Sequence, residues 1–174
     1  MGGIISDTLN LKGPTTTQVD HDMISWLQGI TKVDPDQLAE EIFNAGSIIK
    51  SETPINVIRA DLKVYNEGAY KFSVSQVEEL GFDNLWNHGE DLDEALEKVR
   101  ASDGLLFSAL LVTDINTQNS LLMIRGEDVI IDSITYPHQA ANDIFELKGI
   151  VSRKKQLIPY LTTLVRQLAP DRVT

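Results

Sequence analysis

The run LLFSALLVTDI, Leu105 to Ile115, is too continuously apolar for a strand with one face in water. It suits a central strand covered on both sides. A polar loop follows, and Leu121 to Ile124 is a second apolar stretch expected to pair with the first. Upstream, the segment from about Leu85 to Ala101 carries Leu92, Ala95, Leu96 and Val99 at helical spacing among acids and closes at Ser102-Asp103-Gly104, which predicts a surface helix. Before it, Leu62 to Tyr65, an Asn66-Glu67-Gly68 turn and Tyr70 to Val77 read as a hairpin, with Tyr70, Phe72 and Val74 alternating against polar residues. A short helical segment, Thr53 to about Ala60, precedes the hairpin.

Downstream come a helical candidate from Glu127 to Ile134, a loop through Pro137 and a strand from Ile144 to Val151. A C-terminal helix bearing Leu161, Leu164, Val165 and Leu168 closes the pattern. Strands and helices interleave, so the expected class is α/β, a mixed sheet of about five strands flanked by helices. A two-helix segment precedes it. In residues 14 to 31, Val19, Met23, Trp26, Leu27 and Ile30 share one helical face. The second helix opens at Asp34-Pro35-Asp36-Gln37, a capping aspartate, a first-turn proline and a capping-box glutamine, and runs to Gly46. The polar stretches Ala45-Gly46-Ser47 and Lys50-Ser51-Glu52 read as a linker or hinge, dividing the chain into residues 1–46 and 47–174.

With 26 acidic and 15 basic residues the formal net charge is −11, which disfavours broad binding to nucleic acid or to an anionic membrane surface. The absence of cysteine removes disulfides, thiolate nucleophiles and sulfur-ligated metals, and is compatible with a cytoplasmic location. No apolar run approaches the roughly 18 residues of a membrane span. An anionic ligand would need a local basic pocket, and GIVSRKKQLIPYL, Gly149 to Leu161, offers one. Ser152 is a good N-cap residue, which puts Arg153, Lys154 and Lys155 in the first turn of a helix. Each cation there opposes the macrodipole at about 0.3–1 kcal/mol. If Pro159 marks the first turn instead, the cluster still lies beside unpaired N–H groups. A bound phosphate would turn every one of these terms favourable.

Leu147-Lys148-Gly149-Ile150-Val151-Ser152-Arg153-Lys154-Lys155-Gln156 resembles the C-terminal signature of the family II, manganese-dependent inorganic pyrophosphatases, members of the DHH phosphoesterase superfamily. Leu111 to Ile115 followed by Asn119-Ser120-Leu121 resembles the central strand and loop of the same C-terminal domain. Ile4-Ile5-Ser6-Asp7-Thr8 with Pro14-Thr15 resembles the last metal-binding motif of the N-terminal DHH domain.

The resemblance implies that Lys63, in Asp61-Leu62-Lys63-Val64-Tyr65, together with Arg153 and Lys154, binds the substrate phosphates, and that Asp7 is a metal-bridging carboxylate for Mn²⁺. The implied partner is pyrophosphate or a short polyphosphate. The other metal-ligand motifs of the family have no counterpart in the sequence, which starts shortly before Asp7, so the chain is expected to be an incomplete enzyme, inactive by itself. His21 reads as solvent-facing, and His88 and His138 as residues of polar loops. A short-chain exopolyphosphatase and a non-catalytic phosphate-binding module remain open. The apolar faces of the first two helices are expected either to fold back onto the C-terminal domain or to form a homodimer.

Overall fold

A computed structural model describes residues 1–8, 10–12, 16–139 and 143–168. The sheet is built from β1 (Lys63–Glu67), β2 (Tyr70–Glu79), β3 (Phe107–Asp114), β4 (Asn119–Gly126), β5 (His138–Gln139) and β6 (Ile144–Leu147). The described helices before the sheet are α1 (Gly2–Thr8), α2 (Gln18–Thr31), α3 (Pro35–Gly46), α4 (Ile48–Ser51) and α5 (Pro54–Ala60). Those within and after it are α6 (Asp83–Asp103), α7 (Asp128–Ile131) and α8 (Ile158–Leu168).

β3 is buried at every position. It pairs parallel with β2 and antiparallel with β4, inside a sheet ordered β1-β2-β3-β4-β6-β5. The strand beyond the expected five is the two-residue β5 at one edge. Parallel neighbours need a crossover, and α6 supplies it between β2 and β3. Its Leu92, Leu96 and Val99 pack on Val77, Leu110, Val112 and Met123 from one face of the sheet. On the opposite face Leu157, Leu161 and Val165 cover Phe72, Val74, Ala109, Leu111 and Leu122. Each such fully buried Leu, Phe or Val contributes about 1.5–3 kcal/mol, which is why a run apolar on both faces had to lie inside. Tyr65, Phe72 and Phe107 form a stack across three strands, with ring centroids 5.4 and 4.6 Å apart. Opposite Phe107, Gly126 has no room for a side chain, because an added Cβ would lie 2.5 Å from the Phe107 Cβ.

The remaining strand and helix expectations hold, with shifted ends. β6 stops at Leu147, short of Val151, because Gly149 turns the chain at φ +69°. His88 lies within α6 rather than in a loop, and His138 belongs to β5, stacked 4.6 Å from Phe145. His21 is exposed on α2 as expected.

In the N-terminal segment Asp34 caps α3, accepting from the N–H groups of Asp36 at 2.9 Å and Gln37 at 3.4 Å. Gln37 does not complete the capping box; its amide bonds Glu41 one turn on. Ile5, Ile24 and Ala39 form a small core between α1, α2 and α3. The face of α2 chosen by periodicity is not the buried one. Ile24 points inward, while Val19, Trp26 and Ile30 remain 66%, 58% and 61% exposed, so this face does not fold back onto the sheet domain.

The stretch read as a linker carries α4, and Ser47 at its start is buried. The Ser47 hydroxyl donates to Glu79 Oε1 at 2.9 Å, the Ile49 N–H approaches the same oxygen at 3.4 Å, and Asn84 donates to Glu79 Oε2 at 2.9 Å. Glu79, itself 3% exposed at the end of β2, thus ties α4 to the sheet. Glu79→Ala strands these donors, and urea denaturation is expected to show a loss of about 2–3 kcal/mol. A change within a few tenths of a kcal/mol would mean the tie carries no stability.

Candidate functional site

Toward the carboxyl ends of the parallel pair β2 and β3, the chain leaving β6 folds into a loop and turn that wall an open cleft of about 360 Å³. Asp61, Gln76, Glu78, Ser152, Arg153 and Lys154 line it. Such crevices beyond the carboxyl ends of parallel strands are the usual ligand positions of open α/β sheets.

Ser152 caps the turn as the sequence suggests, its Oγ accepting from the Lys155 N–H at 3.2 Å. The turn itself, Arg153–Leu157, is π-helical and runs directly into α8. Its Ser152 carbonyl accepts from Gln156 N at 3.0 Å and Leu157 N at 3.3 Å. Wide turns of this kind are rare and concentrate at functional sites. Two glutamines hold it. Gln156 Oε1 accepts from the N–H groups of Val151 at 3.0 Å and Ser152 at 2.9 Å, while its Nε2 donates to the Gly149 carbonyl at 2.9 Å. From the sheet, Gln76 Nε2 donates to the Val151 carbonyl at 3.0 Å and to Thr113 Oγ1 at 3.2 Å, and Gln76 Oε1 accepts from the Arg153 N–H at 3.3 Å. At the end of β3, Asp114 accepts from the N–H groups of Gly81, Asn116 and Thr117 and from the Thr117 hydroxyl. Burial pushes its carboxyl up, but these donors outweigh burial and hold it below the ordinary aspartate value.

Three of the four residues singled out in the sequence come together. Arg153 Nη1 donates to the main-chain carbonyls of Asp61 and, at 3.1 Å, of Val74; its Nη2 lies 3.0 Å from Asp61 Oδ2. The guanidinium is largely buried, and among the described residues its Nε is the buried side-chain polar atom without a partner. Lys63 reaches the other oxygen of the same carboxylate, with Nζ 3.8 Å from Asp61 Oδ1. Lys154 is exposed on the cleft wall. Asp7 is elsewhere, on the exposed side of α1, a helix whose neighbours are α2 and α3. Among the described residues no group of three or more His, Asp or Glu side chains is arranged to hold a metal ion, so the donor set described does not fit a manganese centre. A second, more apolar cleft of about 220 Å³, with Phe82, Trp86, Leu147 and Lys148 in its walls, lacks converging cations.

In the reading of the sequence Asp61 and Gln156 stood only as members of the quoted motifs, with no role of their own, and Gln76 was not singled out. Gln76 was detectable: it follows Phe72 and Val74 on the same face of β2, a polar residue in a buried register.

The architecture and the cleft define a mixed-sheet α/β domain that presents cations beyond its parallel strand ends. More narrowly, residues 40–164 match the DHHA2 domain model, and the chain belongs to that family. A Clostridium acetobutylicum protein, a probable manganese-dependent inorganic pyrophosphatase, is 33% identical over 93% of this chain and 52% of its own length. A Thermotoga maritima protein of the same description is 30% identical over 96% of this chain and 30% of its own length. A solved structure from Methanococcus jannaschii, assigned to the family II inorganic pyrophosphatases, superposes with a TM-score of 0.63 at 28% identity, covering 94% of this chain and 53% of that one. The resemblance drawn from residues 147–156 is thus borne out, and the chain spans about half the length of two of these relatives.

Gln156→Ala removes one acceptor and one donor from the turn. Faster hydrogen exchange at the Val151 and Ser152 amides is expected, with about 1–2 kcal/mol lost on unfolding. Gln156→Glu, which keeps the acceptor and loses the donor, should fall between the two.

Proposed function

We propose that this chain is the substrate-clamping part of a cytoplasmic, manganese-dependent inorganic pyrophosphatase that hydrolyses diphosphate to phosphate. In this reading residues 1–46 are the tail of the metal-bearing domain, and residues 47–174 form the substrate-binding domain. Lys63, Arg153 and Lys154 hold the phosphates, and Asp7 supplies one metal-bridging carboxylate. The observation that carries the reading is the convergence of Lys63 and Arg153 on one carboxylate, with Lys154 on the same cleft. The pyrophosphatase descriptions of the relatives support the choice of diphosphate among anions.

The chemistry of this part is positional. The Arg153 guanidinium is fixed by two main-chain carbonyls and presents its Nη2 group, which meets the Asp61 carboxylate, in a rigid plane suited to an anionic oxygen. Lys63 and Lys154 are mobile point charges that follow the ligand. Isothermal titration of this chain with diphosphate is expected to show binding that weakens as salt rises and is lost in the double variant Arg153→Ala, Lys154→Ala. Heat that survives the double substitution would refute the clamp, and a tripolyphosphate arm distinguishes a short-chain exopolyphosphatase.

The partner reading that remains for α2 is a homodimer. Val19, Met23, Trp26 and Ile30 of α2 are exposed and spaced four, three and four residues apart, the seam of a coiled coil. Asp20 and Asp22 lie near one end of the helix and Lys32 caps the other, so an antiparallel pair about a two-fold axis places acids beside a cation at both ends. Light scattering is expected to give twice the chain mass, and Trp26→Glu to give the monomer. A monomer at high protein concentration counts against the pairing.

A further inference from the structure

We propose that Asp61 is an internal competitor that occupies the clamp's cations until a stronger anion displaces it. This inference rests on the phosphate-binding reading above. Its carboxylate spans the cleft's cations, one oxygen 3.0 Å from Arg153 Nη2 and the other 3.8 Å from Lys63 Nζ. Two oxygens on one trigonal carbon present nearly what one edge of a phosphoryl group presents, so carboxylate and phosphate contend for the same donors.

The two partners differ in what they lose when the carboxylate swings away. Arg153 stays in place, because its Nη1 is bound to the main-chain carbonyls of Asp61 and Val74, which do not move with the side chain. Lys63, 60% exposed on its side chain, is otherwise in solvent, and the carboxylate restricts it to the neighbourhood of Arg153. Asp61 therefore gathers Lys63 toward the cleft and at the same time neutralises it. It lies on the loop between α5 and β1 with its side chain half exposed, free to leave for water when a stronger anion arrives.

A tethered carboxylate acts at an effective concentration on the order of millimolar or above, so a monovalent anion in solution that can engage only one cation at a time gains little against it. A ligand that takes Arg153, Lys63 and Lys154 together displaces it. Clamp closure is then an exchange of one anion for another rather than the filling of a bare positive site, and the carboxylate also lets Arg153 and Lys63 stand side by side in the unliganded fold.

Glu78 supplies the control. It lines the same cleft, yet makes no ion pair among the described residues. In titrations of the chain with diphosphate, Asp61→Asn is expected to tighten binding by about two- to fivefold, the range of one exposed ion pair. Asp61→Ala should tighten it too, and Glu78→Gln less than either, with circular dichroism unchanged throughout. If both Asp61 variants bind more weakly or equally, Asp61 is a structural brace and the proposal falls. If Glu78→Gln gives as large a gain, the effect is general charge removal and the proposal falls as well. Wild-type chain that binds no diphosphate at all would overturn the clamp reading itself.

Discussion

Because β2 and β3 run parallel, no tight turn can join them, and a helix must cross one face of the sheet before the chain returns. α6 makes that crossing and buries the face it covers; α8 then has only the other face to cover. Parallel pairing also brings the carboxyl ends of β2 and β3 to the same end of the sheet. Gln76 and Thr113 meet there through a hydrogen bond, and Gln76 reaches on to Val151 and Arg153. The cleft is where it is because two strands end side by side with polar groups not used by the core.

The basic turn poses an energetic conflict that the fold answers without neutralising it outright. Cations at the start of a helix face a positive dipole and free N–H groups. The π-helical turn widens the first winding, and Ser152 and Gln156 side chains occupy the Lys155, Val151 and Ser152 N–H groups. Of the three cations, Arg153 turns inward to carbonyls and a carboxylate, leaving Lys154 and Lys155 in water. Carbonyl acceptors offset a guanidinium better than an ammonium, since a planar fork meets several at once. That explains why the inward position holds arginine and the outward ones lysine.

Features carried by runs of neighbouring residues are legible in the amino-acid sequence: the all-buried β3 from its apolar continuity, the β1–β2 hairpin from its turn, the Ser152 cap from residue type, and the family from residues 147–156. Features carried by pairs distant along the chain are not. Arg153 meets Asp61 across 92 positions and Gln76 across 77, and no local pattern marks such partners. The inward face of α2 escapes for a different reason. Val19, Met23, Trp26 and Ile30 form the stronger stripe, but periodicity tells only that a stripe exists, not which neighbour it meets. Ile24, a single apolar residue beside that stripe, is the one that docks.

The two ends of the molecule are unequal in what holds them. The sheet domain has a contiguous apolar layer on each face, while α1, α2 and α3 share a smaller core in which Ile5, Ile24 and Ala39 are buried and Met1, Ile4, Leu11, Leu38, Ile42 and Phe43 partly so. The N-terminal segment is continuous with α4, which the Ser47–Glu79–Asn84 network anchors to the end of β2. A tether of buried hydrogen bonds is directional where a hydrophobic contact is not. Ser47 both ends α3 and caps α4, so the bond to Glu79 acts at the junction of the two helices, where α3 meets the sheet domain.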